Sequence, residues 1–414
     1  MPADDALTDG AVWMDLTRTL TRVGQAAPTG IDRVELAWAE HLLTVNPQMR
    51  GLCRTTRGFL LLPTDGVRVL VARMRDGGAG LGRADAWSRL TGRGARPRHR
   101  AEAMLRGHAI DRCPPWGLAA MARRHGARVY LNPGHSNHTA RVLGAMRGSG
   151  ARVVVLVHDL IPITHPELVP PKQPARFVAR IARVAANASL VVAVSGDTER
   201  ALAAHWRTGG PRVIRAEIGV PGQPVPAKTK PGTGRFLMVG TLEPRKNHAV
   251  LLKAWDILAQ DLPGGEVPQL DILGQQGWRG VEIAEDIAAH PQFGKTIFLD
   301  TAAGDDALAE AYRHADTLLY PSLAEGFGLP PYEALTHGLL PICSDLPVLR
   351  SGLNADAVYV DPNDVYSWVE TIKKRMSGKL DGSRERSAGR PGWQDHFGTV
   401  AAALAELRDR AERP

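Results

Sequence analysis

The sequence has no long apolar run, few cysteines and few aromatic side chains. No stretch of its 414 residues approaches the roughly 18 apolar residues that a membrane-spanning helix needs. The first ten residues, MPADDALTDG, are too acidic and polar for a secretory leader. We therefore expect a cytoplasmic globular protein, and its length predicts two domains of about 200 residues each.

The cysteines are too few and too widely spaced to organise a site. Cys53, Cys113 and Cys343 are far apart and form no C-x-x-C pair. This spacing argues against a disulfide framework and against a zinc site. Cys343 falls in a predicted buried strand, where it is expected to act as a small apolar side chain.

Positive charge is in excess, with a formal net charge of +8. No helix-turn-helix, RNA-recognition or zinc-finger pattern accompanies it, so nucleic acid is not an expected partner. Much of the charge lies in the glycine- and arginine-rich segment 77–106. Two interpretations of this segment stay open. It is either a solvated, partly disordered insertion or a contact to an anionic membrane surface, where each basic side chain contributes about 1 kcal/mol.

Apolar runs and helical patterns alternate along the chain, which predicts an α/β fold with parallel sheets. A helix is expected from Thr29, a hairpin at 58–72 around Asp65 and Gly66, and a hinge in the proline-rich stretch 211–234. Strands are predicted at 12–16, 128–131, 153–157, 190–194, 236–239, 270–273, 296–299, 317–320, 339–343 and 358–360. We therefore predict two doubly wound, Rossmann-like domains, 1–210 and 211–390, followed by an amphipathic helix in 391–414.

The most specific pattern is LLYPSLAEGFGLPPYEALTHGLLPICSD, at 318–345. A short apolar strand leads into a glycine-bearing loop. A helix then begins near Pro330 and Pro331, because proline is tolerated in a first helical turn. Glu325 lies in the loop and Glu333 in the predicted first turn. Both carboxylates are expected beyond the carboxyl ends of the strands, where open α/β sheets bind ligands.

This Glu-x7-Glu pair within EGFGLPPYEA, together with GTLEPRKN at 240–247, resembles the signature of retaining, nucleotide-sugar-dependent glycosyltransferases of family four. The resemblance covers about 235–364 well and the first half more loosely. It implies the GT-B fold, in which two Rossmann-like domains face a central crevice. It also implies that the C-terminal helix crosses back onto the first domain.

The resemblance implies roles for the residues around the two glutamates. Glu333 would hold the nucleotide ribose and Glu325 would lie against the donor sugar. The backbone N–H groups of Phe327, Gly328 and Leu329 would face the sugar and the diphosphate at a helix N-terminus.

Glycines at two other turns are candidate donor contacts. Gly30 precedes the helix of the first domain and would face the diphosphate in the resembled family, although an ordinary strand-to-helix turn explains it equally well. Gly274 begins GQQGW at a strand end. It is interpreted either as part of the site wall near the base of the donor nucleotide or as a simple turn.

Arg245 and Lys246 follow a predicted strand end and are the candidate diphosphate ligands. Cleavage of a nucleotide sugar leaves a diphosphate whose negative charge grows in the transition state, so fixed cations there favour the transition state over the ground state. No D-x-D motif occurs in the sequence. We therefore expect these side chains to replace a divalent metal, and we expect no cofactor.

His158 directly follows the strand at 153–157. The segment HDLIPITHPE resembles one found in bacterial polysaccharide glycosyltransferases, in which the strand-end histidine faces the reacting sugar. His158 is therefore the main active-site prediction in the first half. His135, Asp159 and His165 are secondary candidates.

These features predict a retaining, metal-independent glycosyltransferase that moves a sugar from GDP-mannose or a UDP-sugar to a glycan or lipid-linked glycan acceptor. Its expected setting is the synthesis of surface polysaccharide or lipopolysaccharide, in the cytoplasm or peripherally on the inner face of the cell membrane. Two alternatives stay open: a GT-B nucleotide-sugar epimerase, and a non-catalytic nucleotide-sugar-binding subunit of a polysaccharide assembly complex. One position departs from the family pattern, because Ser351 follows LPVLR where a glutamate is frequent.

Overall fold

The computed structural model describes residues 5–25, 28–83, 96–207, 209–220, 234–263, 265–380 and 391–412. The chain divides into two units. The first is drawn from Met1–Leu160, Ala175–Gly219 and Pro391–Pro414, and the second from Ile161–Pro174 and Val220–Arg390. Each unit is assembled from separate stretches of chain, whereas the two predicted domains, 1–210 and 211–390, are continuous.

The first unit is built on a mostly parallel sheet. Its strands are β1 (Ala11–Asp15), β2 (Arg50–Thr55), β3 (Gly58–Leu62), β4 (Asp111–Cys113), β5 (Ala127–Asn132), β6 (Arg152–Val157), β7 (Leu190–Ala193) and β8 (Arg212–Arg215). Over the described residues they pair in the order β4-β3-β2-β1-β5-β6-β7-β8, with β3 and β4 antiparallel to their neighbours. The chain winds outward on both sides from the gap between β1 and β5. That gap is the topological switch point, where open sheets place ligands.

The second unit has a fully parallel sheet. Its strands are β9 (Arg235–Val239), β10 (Gln269–Leu273), β11 (Ile297–Asp300), β12 (Thr317–Tyr320), β13 (Leu340–Ser344) and β14 (Val358–Val360). The order β11-β10-β9-β12-β13-β14 puts its switch point between β9 and β12. The buried core around this sheet includes Trp255 and Trp368.

Helices flank both sheets, as expected where parallel strands are joined by crossovers. In chain order they are α1 (Asp5–Thr8), α2 (Thr17–Arg22), α3 (Gly30–Val45), α4 (Thr64–Arg75), α5 (Pro97–His108), α6 (Leu118–Arg124), α7 (Ala140–Gly148), α8 (Ile161–Thr164), α9 (Gln173–Asn187), α10 (Gly196–Trp206), α11 (His248–Asp261), α12 (Gly280–Ala288), α13 (Asp305–His314), α14 (Leu329–Thr336), α15 (Pro347–Leu353), α16 (Val365–Met376) and α17 (Trp393–Glu412). Within the described ranges, none of them is long and apolar enough to cross a bilayer.

The hairpin predicted at 58–72 is wrong. Its first arm is β3, but the second arm belongs to α4, which buries Val67, Leu70, Val71 and Met74. Those positions have the spacing of one helical face. β3 instead pairs with β2, a strand that the sequence analysis did not predict.

The basic segment 77–106 is a helix over part of its length, and 84–95 lies outside the described residues. Helix α5 buries His99, Ala101 and Leu105. It also buries Glu102, which accepts a hydrogen bond of 3.0 Å from the Thr56 hydroxyl. The interpretation as a solvated loop is therefore wrong for 97–106, because this part packs into the first unit.

The hinge predicted from 211 begins too early. Strand β8 pairs with β7 in the first sheet, so the first unit continues to Gly219. Residues 221–233 of the predicted hinge lie outside the described part of the chain. A second difference concerns Ile161–Pro174, which belongs to the second unit and packs Ile161 and Val169 against Ala324.

The C-terminal helix α17 packs on the first unit, as predicted. Trp38 of α3 donates a hydrogen bond from Nε1 to His396 Nε2, at 3.1 Å. The Trp38 and Phe397 rings are 4.8 Å apart in an edge-to-face arrangement. This contact joins the last described helix to one of the first.

Candidate active site

The loops that follow β9 and β12 meet at the switch point of the second sheet. Arg245 and Lys246 lie in a single 3-10 turn, Pro244–Lys246, after β9. The Leu323 N–H, in the loop after β12, donates to the Arg245 carbonyl at 2.7 Å. Arg245 Nη1 also lies 3.1 Å from Glu325 Oε2. Three predicted site residues, Arg245, Lys246 and Glu325, are therefore brought together where ligands bind such sheets.

Lys246 is held more tightly than Arg245. Its Nζ contacts Glu325 Oε1, donates to Tyr320 Oη at 2.8 Å and lies 4.5 Å from the centre of the Tyr320 ring. Only 6% of the Lys246 side chain is exposed, against 22% for Arg245. The Arg245 guanidinium is therefore the more accessible cation for an incoming phosphate.

The charges of this cluster determine its ionisation. Burial raises the pKa of Glu325, but the charges of Lys246 and Arg245 outweigh it and hold that pKa at about 2. Burial lowers the pKa of Lys246 to about 8, against the opposing attraction of Glu325. At neutral pH the Glu325 carboxylate and the Lys246 ammonium are therefore both charged.

Gly274 is required by a close approach of two strand ends. A Cβ atom at this position would lie 1.8 Å from the Gly240 carbonyl oxygen. Gly240 begins the loop that leads to Arg245 and Lys246, and it lies against the Lys246 side chain. Gly274 thus shapes the site through the backbone, and its proposed contact with the base stays a prediction.

The helix that carries Glu333 begins at Leu329. Gly328 caps it in the left-handed conformation, with φ 88°, which glycine adopts without strain. Phe327 stacks on Tyr332, with ring centres 4.8 Å apart. The prediction that Glu333 lies in the first turn is wrong, because the helix starts early enough to make it the fifth helical residue.

Glu333 is buried and oriented by Tyr312. The Tyr312 hydroxyl donates to Glu333 Oε2 at 3.0 Å, and its ring stacks on His337. Tyr312 and Tyr320 were both missed as site residues. Their spacing indicates only buried positions, and nothing local shows that their hydroxyls reach Glu333 and Lys246.

In the first unit, His158 follows β6 as predicted. Its Nε2 lies 2.7 Å from the Pro133 carbonyl oxygen, and its backbone N–H donates to His135 Nε2 at 3.2 Å. Burial lowers the pKa of His158 to about 4 and that of His135 well below its usual range. Two predicted histidines therefore lie together as neutral rings.

The other two candidates of that region, Asp159 and His165, have different surroundings. Asp159 is half-buried in the first unit, where its charge acts on Arg180. His165 belongs to the second unit, where its Nδ1 lies 2.9 Å from the Thr164 hydroxyl.

Gly30 is the first residue of α3. The N-terminus of this helix is closed by Asp32, which accepts hydrogen bonds from the Thr29 N–H at 2.8 Å and the Thr29 hydroxyl at 2.7 Å. Arg18 and Arg22 both pair with the same carboxylate, at 2.7 and 3.0 Å. Gly30 therefore lies beside two cations at a helix N-terminus, and its contact with a diphosphate stays a prediction.

Two smaller observations concern metals and Ser351. In the part of the chain that the structure describes, no group of three or more His, Cys, Asp or Glu side chains is placed to hold a metal ion. Ser351 is exposed and donates to the Val348 carbonyl at 3.2 Å, and nothing in the structure explains its departure from the family pattern.

The sequence of the second unit matches a known family. Residues 225–389 match the family described as glycosyl transferases group 1. The chain is 31% identical to the serotype-specific mannosyltransferase WbdA of Escherichia coli over 251 residues, which are 55% of this chain and 30% of WbdA. It is 27% identical to the O-antigen chain mannosyltransferase B of Escherichia coli over 226 residues, 52% of this chain and 58% of that protein. The chain thus spans less than two thirds of the length of these curated relatives.

Solved structures share the fold over almost the whole chain. HepE of Anabaena, solved with UDP and glucose, is 13% identical and has a TM-score of 0.61, covering 96% of this chain and 100% of HepE. The lipopolysaccharide outer core galactosyltransferase WaaB is 14% identical with a TM-score of 0.54, covering 96% and 99% of the two chains. The predicted GT-B fold is confirmed, and Arg245, Lys246, Glu325 and Glu333 all lie in residues 225–389, the part that matches the glycosyl transferases group 1 family.

Proposed function

We propose that the protein is a retaining glycosyltransferase. It moves a sugar from a nucleotide diphosphate sugar to a glycan or lipid-linked glycan acceptor in the synthesis of surface polysaccharide or lipopolysaccharide. The supporting observation is the cluster of Arg245, Lys246 and Glu325 at the switch point of the second sheet. The mannosyltransferase relatives favour GDP-mannose as donor, and the UDP in the HepE structure favours a UDP-sugar.

The proposal assigns the two cations to the diphosphate. Arg245 is paired with two carboxylates, Glu243 at 2.9 Å and Glu325 at 3.1 Å, so its fork already points at acidic oxygens. The oxygens of a diphosphate accept hydrogen bonds from two guanidinium N–H groups at once, and they carry more charge than a carboxylate. Because that charge grows as the sugar leaves, Arg245 and Lys246 stabilise the transition state more than the ground state. No metal is needed for this role in our proposal.

Glu325 acts in this proposal as an anion. A carboxyl with a pKa of about 2 holds no proton at neutral pH, so it does not protonate a leaving group as a glycosidase acid does. A fixed carboxylate beside the donor sugar instead stabilises the positive charge that develops at the anomeric carbon. We propose transfer on the same face of the sugar, with the leaving phosphate accepting the proton of the acceptor hydroxyl.

Glu333 binds the nucleotide ribose in this proposal. A carboxylate accepts two hydrogen bonds from a vicinal diol, and Tyr312 fixes its orientation through the 3.0 Å hydrogen bond to Oε2. Replacing Glu333 by alanine is expected to weaken donor binding, because the diol hydroxyls then lack a charged acceptor.

We further propose that the protein works at the inner face of the cell membrane, with the basic segment 77–106 as the contact. Substituting Arg83, Arg89 and Arg93 together by glutamine leaves the buried face of α5 intact. It is expected to reduce partitioning onto anionic vesicles, by about 1 kcal/mol for each charge that touches the surface. Unchanged partitioning at low salt would remove segment 77–106 as the contact.

The donor assignment is tested by thermal shift with UDP, GDP, ADP and dTDP and their sugars, with and without a chelator. A ligand that binds only the folded protein stabilises it by about 2.7 kcal/mol at one hundred times its dissociation constant. We expect one nucleotide to give a selective shift that the chelator does not change. Arg245→Ala should reduce this shift, whereas Arg279→Ala, which removes an exposed cation paired with Glu282, should preserve it.

Product analysis with the selected donor separates the two enzyme classes under consideration from each other and from the non-catalytic subunit. A transferase releases the nucleoside diphosphate and extends an acceptor glycan. An epimerase yields the isomeric sugar without an acceptor. A nucleotide-sugar-binding subunit gives the thermal shift with neither product.

A further inference from the structure

The ring of His158 is fixed by one carbonyl group. Its Nε2 lies 2.7 Å from the Pro133 oxygen, and a carbonyl oxygen only accepts hydrogen bonds. The proton of the neutral ring must therefore be on Nε2, which makes Nδ1 the acceptor. The backbone N–H of His158 is also held by a hydrogen bond, which it donates to His135 Nε2 at 3.2 Å.

Both of these partners lie in one strained loop between β5 and α7. His135 and Asn137 have left-handed backbone conformations, with φ 60° and 56°. Such conformations are uncommon outside glycine, and persist only where the surroundings enforce them. The position of Pro133 and His135 against His158 therefore depends on whatever holds this loop.

The loop is held by Asp15 at the carboxyl end of β1. Asn137 donates from Nδ2 to Asp15 Oδ2 at 2.8 Å and to the Thr17 hydroxyl at 2.7 Å. Asp15 Oδ2 also accepts from the Tyr130 hydroxyl at 2.8 Å. All of these groups are buried, so no water replaces a lost partner without cost.

A second connection reaches the same loop from β5. Asn132 donates from Nδ2 to the Ser136 carbonyl at 2.6 Å and to the Tyr130 hydroxyl at 3.1 Å. Tyr130 thus connects Asp15 to Asn132. The network crosses the ends of β1 and β5, the two strands at the switch point of the first sheet, and ends at His158 beyond β6.

We propose that Asp15 and Asn137 are positioning residues for His158. They hold the loop 133–137 so that the Pro133 carbonyl keeps the His158 ring in one orientation with its proton on Nε2. The His158 Nδ1 then accepts a hydrogen bond from a hydroxyl of the sugar substrate. A neutral ring in this place adds no positive charge beside an anomeric carbon that becomes positive during transfer.

The experiment measures the tautomer of His158 directly. The full-length protein is prepared with isotope-labelled histidine rings, and two-bond proton–nitrogen correlation spectra are recorded at neutral pH. The His158 signals are assigned as those lost in His158→Gln. We expect a protonated Nε2 and an unprotonated Nδ1 in the natural chain.

Three variants test the tether, by which we mean the hydrogen bonds from Asn137 that hold the loop 133–137 to Asp15 and Thr17. Asn137→Ala removes the bonds to Asp15 and Thr17. Asn137→Gly removes the same bonds but keeps the left-handed backbone accessible, so it folds where alanine is strained. Asn46→Ala is the matched control, because Asn46 is also buried and donates two hydrogen bonds, to the Leu7 and Gly10 carbonyls at 2.6 and 3.1 Å. Both carbonyls precede the amino end of β1, whereas Asp15 lies at its carboxyl end.

Both Asn137 variants are expected to give His158 signals averaged between the two tautomers, and turnover about 10- to 100-fold lower, as a displaced catalytic group predicts. Donor affinity should change little. Asn46→Ala should keep the tautomer of the natural chain. An unchanged His158 tautomer in Asn137→Gly, or an equal change in Asn46→Ala, overturns the proposal.

The role of His158 toward a sugar rests on the proposed function, and the two ideas fail separately. If His158→Gln transfers sugar normally, the proposed role of His158 in transfer is lost while the tether is still measured by the spectra. If the tautomer is insensitive to Asn137, the tether is lost while His158 stays a candidate for transfer.

Discussion

Replacing Lys246 by methionine tests how much the charge of Lys246 stabilises the second unit. Methionine keeps most of the apolar length of the side chain and removes the charge that lies closest to Glu325. Removing one partner of a buried ion pair costs about 3–5 kcal/mol, because the other charge is left buried without compensation. Because Arg245 still pairs with Glu325 in the variant, we expect a loss at the lower end of this range, about 3 kcal/mol, in the free energy of unfolding at pH 7.

The sharper test is the pH dependence of that loss. The pKa of Glu325 is about 2 in the folded chain and 4.5 ordinarily, a difference equivalent to roughly 3 kcal/mol of stability at pH 7. A carboxyl whose pKa is lowered by folding stabilises the folded chain at pH values above its ordinary pKa. This stabilisation is lost as the pH falls toward the lowered pKa, so roughly 2 kcal/mol of it should disappear between pH 7 and pH 3. Lys246 contributes nothing to the pH dependence of stability between pH 7 and pH 3, because its pKa of about 8 keeps it charged throughout that range.

Without Lys246, the burial that raises the Glu325 pKa is opposed mainly by Arg245, so the variant should show little of this acid-side loss. The difference between the two proteins should therefore shrink by roughly 2 kcal/mol from pH 7 to pH 3. Urea unfolding followed by fluorine NMR of fluorotryptophan measures it, since Trp255 and Trp368 are buried in the second unit and report on it alone.

Lys373→Met is the matched control. Lys373 forms a 2.7 Å pair with Asp261, but both side chains are partly exposed, and such surface pairs contribute about 0–1 kcal/mol. A Lys246→Met cost that is independent of pH, or as small as that of the control, would refute the reasoning.

Three further predictions concern the same unit. Arg245→Ala should lower kcat by about 100-fold or more with a smaller change in donor affinity, measured by steady-state kinetics and calorimetry; a loss confined to affinity would contradict a transition-state role. Tyr312→Phe removes the 3.0 Å bond to Glu333 and should weaken nucleotide binding by roughly 2- to 10-fold, which calorimetry with the selected nucleotide would detect. Gly274→Ala places a Cβ 1.8 Å from the Gly240 oxygen and should lower the melting temperature, whereas Gly304→Ala, with no heavy atom within 4 Å of its Cβ, should leave it nearly unchanged.

The parts of the fold that the sequence predicts are those with strong local patterns. The buried run at β6 and the strand-loop-helix around Glu325 have apolar residues, glycines and prolines at short range, so both elements and their order follow. The meeting of Arg245 with Glu325 follows from topology, since the ends of β9 and β12 flank one switch point.

The misplaced elements have competing local signals. In α4, the β-branched side chains of Val67, Val69 and Val71 favour a strand, while the burial of Leu70 and Met74 shows that helical packing decides. Strand β8 lies in a proline-rich stretch, where composition conceals four residues that pair with β7.

Side-chain partners far apart in sequence were not predictable. Asp15 and Asn137 are separated by 122 positions, and Tyr312 reaches Glu333 across 21. No periodicity or motif encodes such pairs. They depend on which strand ends become neighbours and on which rotamer each side chain adopts there.

Each of the two units is drawn from separate stretches of the sequence, which has consequences for folding during synthesis on the ribosome and for the design of fragments. The second unit is complete once residue 390 has been made, but the first still lacks α17, whose His396 and Phe397 cover Trp38. We therefore expect the later unit to reach its native state first, against the usual order from the N-terminus. A fragment that starts at 220 would lack Ile161–Pro174 and leave Ala324, next to Glu325, without its apolar cover.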